Sequence, residues 1–134
     1  MTGEEKMPKQ EYYQKMFLIG AVWNWVATVT FFFGYKILFP LFGMALPLYP
    51  VFFFMFLGVC FLFGVGYYWV SRDLNKNHDI VRLGITGKLL VFLALFWAVI
   101  VGQIHFILLG AGLVDLVFAI LYIEFLRATK RNGV

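Results

Sequence analysis

The sequence predicts an all-α fold: a four-transmembrane-helix bundle with both chain ends on the cytoplasmic side. Three observations predict it. Composition comes first: 63% of the 134 residues are hydrophobic, 21% are aromatic and only 13% are charged, with a mean hydropathy of +0.87. Soluble domains average about 45–50% apolar and about 25% charged residues, so a soluble globule is excluded. Second, four apolar runs each reach the roughly 20 residues that a helix needs to cross a bilayer core. Third, the basic residues fall almost entirely on one side of those runs. Lys6, Lys9 and Lys15 precede the first run, Arg72, Lys76, Arg82 and Lys88 surround the middle connection, and Arg127, Lys130 and Arg131 close the chain. Lys36 alone is left on the other side. The positive-inside rule then places both termini and the middle connection in the cytoplasm, with a prokaryotic plasma membrane as the default location.

The whole chain, 1–134, reads as a single domain with spans of about 16–39, 50–70, 83–102 and 106–126, a cytoplasmic arm 1–15 and a cytoplasmic tail 127–134. The arm is of mixed charge and the run after it is too long for a signal-peptide core, so the first span is expected to be retained. Runs such as Phe31-Phe32-Phe33 and Val51–Leu57 do not alternate in polarity, which excludes barrel strands. The four prolines are expected outside the span interiors, with Pro40 and Pro47 in the outer connection and Pro50 in the first turn of span two, where proline is tolerated. That connection, from Gly34 to Tyr49, is itself apolar, suiting the membrane interface, a re-entrant path or a partner. Spans three and four are joined by a short turn around Gln103–His105. Tyr12, Tyr13, Tyr49, Tyr67, Tyr68, Trp69 and Tyr122, near span ends, read as an interfacial aromatic belt.

Polar groups at membrane depth are the first places to look for function. At 1.5 Å per residue, Asn24 lies roughly 12 Å and Asp115 roughly 16 Å from the cytoplasmic edge, with the Lys88 backbone at roughly 6 Å. Each shares a helical face with mostly small residues: Gly20, Ala21, Ala27 and Thr28 around Asn24, Gly84, Val91, Ala98 and Gly102 around Lys88, Ala111, Gly112 and Ala119 around Asp115. Small residues line helix–helix interfaces in membranes, so the three polar side chains are expected to converge in one layer.

Two readings of the layer stand side by side. An Asp115–Lys88 ion pair bonded to Asn24 would act as interhelical glue and remove much of the cost of burying two charges. Alternatively, Asp115 is a protonatable group lining a cavity, in which case Asp115→Asn abolishes ligand binding while the bundle still folds. Glu124 lies nine positions after Asp115, on the opposite helical face beside Arg127, and is expected to reach the headgroups. Lys36, Gln103 and His105, with Tyr35, form a candidate outer mouth. His78, in the turn Asn75–Asp79, has no second ligand at coordinating spacing, and no metal is assigned. Cys60 stands alone, which excludes an intrachain disulfide. No basic stripe on a soluble face suggests nucleic acid. No nucleophile–base pair, glycine-rich phosphate loop or HExxH is visible, so the expectation is a non-enzymatic protein with no cofactor assigned.

Small multidrug-resistance exporters share this length, but their glutamate in the first span is replaced here by Asn24. The stretch Tyr67-Tyr68-Trp69-Val70-Ser71-Arg72-Asp73, the stretch Gly84-Ile85-Thr86-Gly87-Lys88-Leu89 and Asp115-Leu116-Val117-Phe118 resemble the DoxX-like group of small bacterial four-helix membrane proteins. The resemblance covers the second half of the chain. It implies a likeness to subunits of quinone-linked oxidoreductases, and hence a quinone or lipid partner. The leading expectation is a small multi-pass protein that binds or moves a small hydrophobic or weakly polar ligand through the Asn24/Lys88/Asp115 layer. The alternative is an accessory or anchoring subunit of a quinone-linked membrane oxidoreductase. Either is compatible with a homo-oligomer.

Overall fold

The computed structural model describes residues 9–131, and every long element in it is helical. Lys6, Pro8 and the rest of the arm before Lys9 lie outside the described residues, as do the last three of the tail. Helix α1 spans Gln10–Leu41, α2 Pro50–Arg72, α3 His78–Ile100 and α4 Leu109–Arg131, the last preceded by a 3₁₀ turn at Phe106–Leu108. All four segments are long and apolar enough to cross a membrane. At 1.5 Å per residue the 32 residues of α1 reach roughly 48 Å, well beyond a hydrocarbon core of about 30 Å. About half of the surplus is the stretch Gln10 to Lys15, in which Glu11 and Lys15 pair one turn apart at 3.0 Å.

The helices outrun the sequence expectation at most ends. Helix α3 starts at His78 rather than near Leu83, and α4 continues through Arg131 instead of ending near Leu126. Pro40 lies inside α1, not in the connection. It is the second-last helical residue, so the carbonyl it leaves unbonded is close to a helix end that frays anyway. Termination falls to glycine. Gly43 has φ +73, and the Met44 and Gly43 N–H groups return to the Phe39 and Pro40 carbonyls at 2.8 and 3.1 Å. Gly102, φ +78, repeats this at the end of α3: Gln103 N–H bonds Ala98 O at 2.9 Å and Gly102 N–H bonds Val99 O at 3.1 Å. Both are Schellman closures, in which a residue without a side chain takes the left-handed position.

The chain makes two tight hairpins, α1/α2 and α3/α4, joined by the turn Asp73–Asn77. In that turn Asp73 Oδ1 accepts the Asn75 N–H at 3.0 Å, Leu74 is buried, and Asn77 takes a left-handed backbone (φ 65). The hairpins meet through aromatic side chains at the basic end. Phe17 stacks on Tyr122 at 4.6 Å, Phe125 packs edge-on to Tyr13 and Phe17, and Tyr67 reaches Tyr122 at 5.2 Å. Burial stops soon after. No residue between 29 and 56, or between 89 and 111, is buried within the chain. At the far end residues 42–49 run across the bundle without entering it, and the Phe42 carbonyl accepts the His105 N–H at 3.0 Å.

Three of the tyrosines assigned to an interfacial belt are not there. Tyr13, Tyr67 and Tyr122 are buried, while Tyr12, Tyr49, Tyr68 and Trp69 are exposed. The reason is local: Tyr122 faces Gly20 and Tyr67 faces Gly84, and the Tyr122 hydroxyl and the Tyr67 ring occupy the space that a side chain on the opposite helix would need.

Candidate functional site: the buried polar layer

The sequence Trp23-Asn24-Trp25 builds one side of the layer. Successive residues of a helix point about 100° apart, so three in a row address three neighbours. The Trp25 indole donates to the Phe61 carbonyl at 3.3 Å and lies against Gly64, where any Cβ would fall 2.6 Å from its nitrogen. The Asn24 amide nitrogen donates to the Cys60 carbonyl at 2.9 Å. That bond turns the Asn24 oxygen toward α3, where it accepts from Lys88 Nζ at 3.4 Å. Trp23 turns the other way and its indole donates to Asp115 Oδ1 at 3.3 Å.

Lys88 Nζ bonds Asp115 Oδ1 at 2.7 Å, and its side chain is only 5% exposed. The ammonium also stands over the rings of Tyr67 and Phe118, 5.3 and 5.1 Å from their centroids, a cation–π arrangement. The lysine therefore reaches inward instead of snorkelling to the headgroups. Helices α1, α3 and α4 all extend past their expected edges at this end, so the backbone of Lys88 stays nearer the end than Asn24 and Asp115, and its long side chain bridges the offset. Asn24, Lys88 and Asp115 thus form one contact between α1, α3 and α4, with α2 supplying the Cys60 carbonyl. Asp115 Oδ1 serves two donors. Its side chain remains 16% exposed, and Oδ2 accepts no hydrogen bond from the described residues.

The other sequence candidates stay apart from this layer. Glu124 is held at the α1 interface, accepting from Tyr13 at 3.3 Å and Lys9 at 3.5 Å, and is not simply free in the headgroup region. Lys36 and Gln103 are exposed, and His105 Nδ1 caps the 3₁₀ turn by accepting from Ile107 N–H at 3.1 Å. His105 is further held on the face of Phe106. No hydrogen bond or ion pair joins Lys36, Gln103 and His105 among the described residues. His78 donates to the Leu74 carbonyl at 2.7 Å and packs edge-on to Phe125. Among the described residues no three of His, Cys, Asp or Glu lie close enough to share a metal ion. Two clefts, of about 440 and 410 Å³, open at the basic end and not on the polar layer.

Sequence reasoning missed Trp23, Trp25, Tyr67 and Phe118. The signal was present for the tryptophans, since an indole N–H on each side of a membrane-depth asparagine needs acceptors on neighbouring helices. For Tyr67 the signal was Gly84 on the facing helix, visible only once the helices are paired.

Fold and site together define a class, an all-helical chain of four bilayer-length apolar helices with a buried ion pair inside the second hairpin that Asn24 and Trp23 of the first hairpin bond to. Comparison with protein-family models, with curated proteins and with solved structures gives no match.

Proposed function

We propose that this chain is a small multi-pass protein of a prokaryotic plasma membrane, N-in and C-in, that holds a small hydrophobic or weakly polar ligand against the Asn24/Lys88/Asp115 layer. The observation that carries this reading is Asp115. It is a carboxylate at membrane depth whose Oδ1 is doubly bonded while Oδ2 remains available, at the level where burial between the hairpins stops. A hydroxyl-bearing molecule entering from the loosely packed half meets this layer as its first polar partner and can donate to Oδ2. Polar groups placed where lipid would otherwise lie commonly mark ligand or ion pathways. The DoxX-like resemblance suggests a quinone or lipid as the ligand class.

The test separates binding from glue. Asp115→Asn alone leaves Lys88 buried beside a neutral partner, so a loss of binding could follow from misfolding. The double variant Lys88→Met/Asp115→Leu removes both charges at similar volume, a change that buried pairs often tolerate. Native mass spectrometry of protein extracted gently from its own membrane should show a small molecule retained on the wild type and lost from an intact double variant, whatever phospholipid either one also carries. A double variant that keeps the ligand, or a wild type that arrives empty, overturns the proposal. A larger protein retained in place of a small molecule would establish the anchoring-subunit alternative.

A further inference from the structure

The cleft between α3 and α4 at the basic end has a chemistry unrelated to the polar layer. It encloses about 410 Å³ and is lined by His78 and Arg82 from α3 and by Ile123, Leu126, Arg127, Thr129 and Lys130 from α4. The lining is graded along α4. Ile123 lies deepest in the bundle, Leu126 and Arg127 follow about one turn nearer the end, and Lys130 about one turn beyond them. Arg82 stands across from them one turn after His78, its charge balanced by Asp79 at 2.6 Å. Arg127 and Lys130 are exposed and form no ion pair among the described residues.

We propose that this cleft seats the phosphate headgroup of an anionic phospholipid, with Arg127 and Lys130 on the phosphate and the acyl chains along Ile123 and Leu126. The gradient favours a lipid over a free anion: a soluble phosphate uses the basic rim only, whereas a phospholipid fills both levels at once. Basic pockets between transmembrane helices at the cytoplasmic surface hold anionic headgroups for this reason. The proposal rests on the membrane-spanning reading but not on a ligand at Asp115.

The molecule carries its own control. The second cleft, between α1 and α2, is of similar size at about 440 Å³ and is lined by Gln14, Lys15, Leu18, Tyr68, Ser71 and Arg72. Its Lys15 is already paired with Glu11. The experiment reconstitutes the full chain in nanodiscs of phosphatidylglycerol and phosphatidylcholine, then counts retained lipids by native mass spectrometry after detergent release. Wild type is expected to retain phosphatidylglycerol selectively. Arg127→Gln/Lys130→Gln should lower that retention roughly tenfold, Lys15→Gln/Arg72→Gln should leave it unchanged, and Arg127→Lys/Lys130→Arg should preserve it. Equal loss in the two glutamine pairs, equal retention of phosphatidylcholine, or complete displacement by inorganic phosphate would overturn the site. The charge-free polar-layer variant, Lys88→Met/Asp115→Leu, should keep its phosphatidylglycerol, so failure at one site is read separately from failure at the other.

Discussion

Trp23, Asn24 and Trp25 show how much three residues can organise when water is absent. Each carries a side-chain donor, and each donor finds an acceptor on a different part of the neighbouring structure: Asp115, the Cys60 carbonyl and the Phe61 carbonyl. The Lys88–Asp115 pair completes the set. Removing one partner of a buried pair leaves the other charge unsatisfied, which typically costs about 3–5 kcal/mol. Lys88→Met or Asp115→Leu alone is therefore expected to destabilise by roughly 3 kcal/mol, and the double variant by much less. Unfolding in mixed micelles measures all three; additive losses would show that the pair is not coupled. Tyr122 offers the opposite case. Its hydroxyl is buried with no hydrogen-bond partner among the described residues. Tyr122→Phe should be neutral or stabilising by up to about 1 kcal/mol, since an unmet polar group is removed.

Between helices, glycine decides how close the hairpins come. A Cβ at Gly20 would collide with the Tyr122 hydroxyl but stay 3.4 Å from the ring carbon bearing it. At Gly84 it would fall 2.6 Å from the Tyr67 hydroxyl and 2.7 Å from a ring carbon. Gly20→Ala and Gly84→Ala should each destabilise by about 1–3 kcal/mol, the usual range for overpacking. The two differ in rescue. Tyr122→Phe should recover most of the Gly20→Ala loss, because only the hydroxyl is in the way. Tyr67→Phe should not recover Gly84→Ala, because the ring itself is. Gly58 and Gly87 have open space at the Cβ position, so alanine there should be neutral or slightly stabilising. Thermal unfolding in one detergent ranks all six variants, and rescue at both sites or at neither would contradict the packing described.

Across the whole molecule, the two hairpins pack against each other at the basic end, while at the far end α1 and α2 pack mainly on each other through Phe32, Tyr35, Phe39, Phe53 and Phe54. The aromatic contacts between hairpins lie at or below the polar layer, and beyond it the one hydrogen bond between them among the described residues is that from His105 N–H to the Phe42 carbonyl. Spin labels at the exposed positions Leu18 and Ile120 should give a narrow distance distribution, because the interface between them is filled. Labels at Phe33 and Leu93 should give a broader one, since no buried residue lies between them. Equal widths would mean that lipid or a second chain fixes the far half. Topology is tested at the same scale: reporter fusions at both ends should report the cytoplasm, as the distribution of Lys and Arg requires.

The helix count, the approximate spans and the three residues of the polar layer are legible in one dimension. Apolar length is a local property, and a charge at membrane depth must find its opposite. What stayed hidden is what depends on rotation and pairing. A tyrosine near a span end reads the same whether its ring meets headgroups or a neighbouring glycine, and only the pairing of Gly20 with Tyr122 and of Gly84 with Tyr67 separates the two. Helix ends were hidden for a related reason. Polar first and last turns, such as His78–Arg82 and Arg127–Arg131, look like loop in composition and become helix because the backbone hydrogen-bond ladder continues past the apolar edge. Composition, length and charge asymmetry belong to the chain itself. The polar layer as a contact and the packed basic half exist only after the hairpins dock, because each joins residues from helices far apart in sequence, while each cleft forms inside one hairpin once its two helices pair.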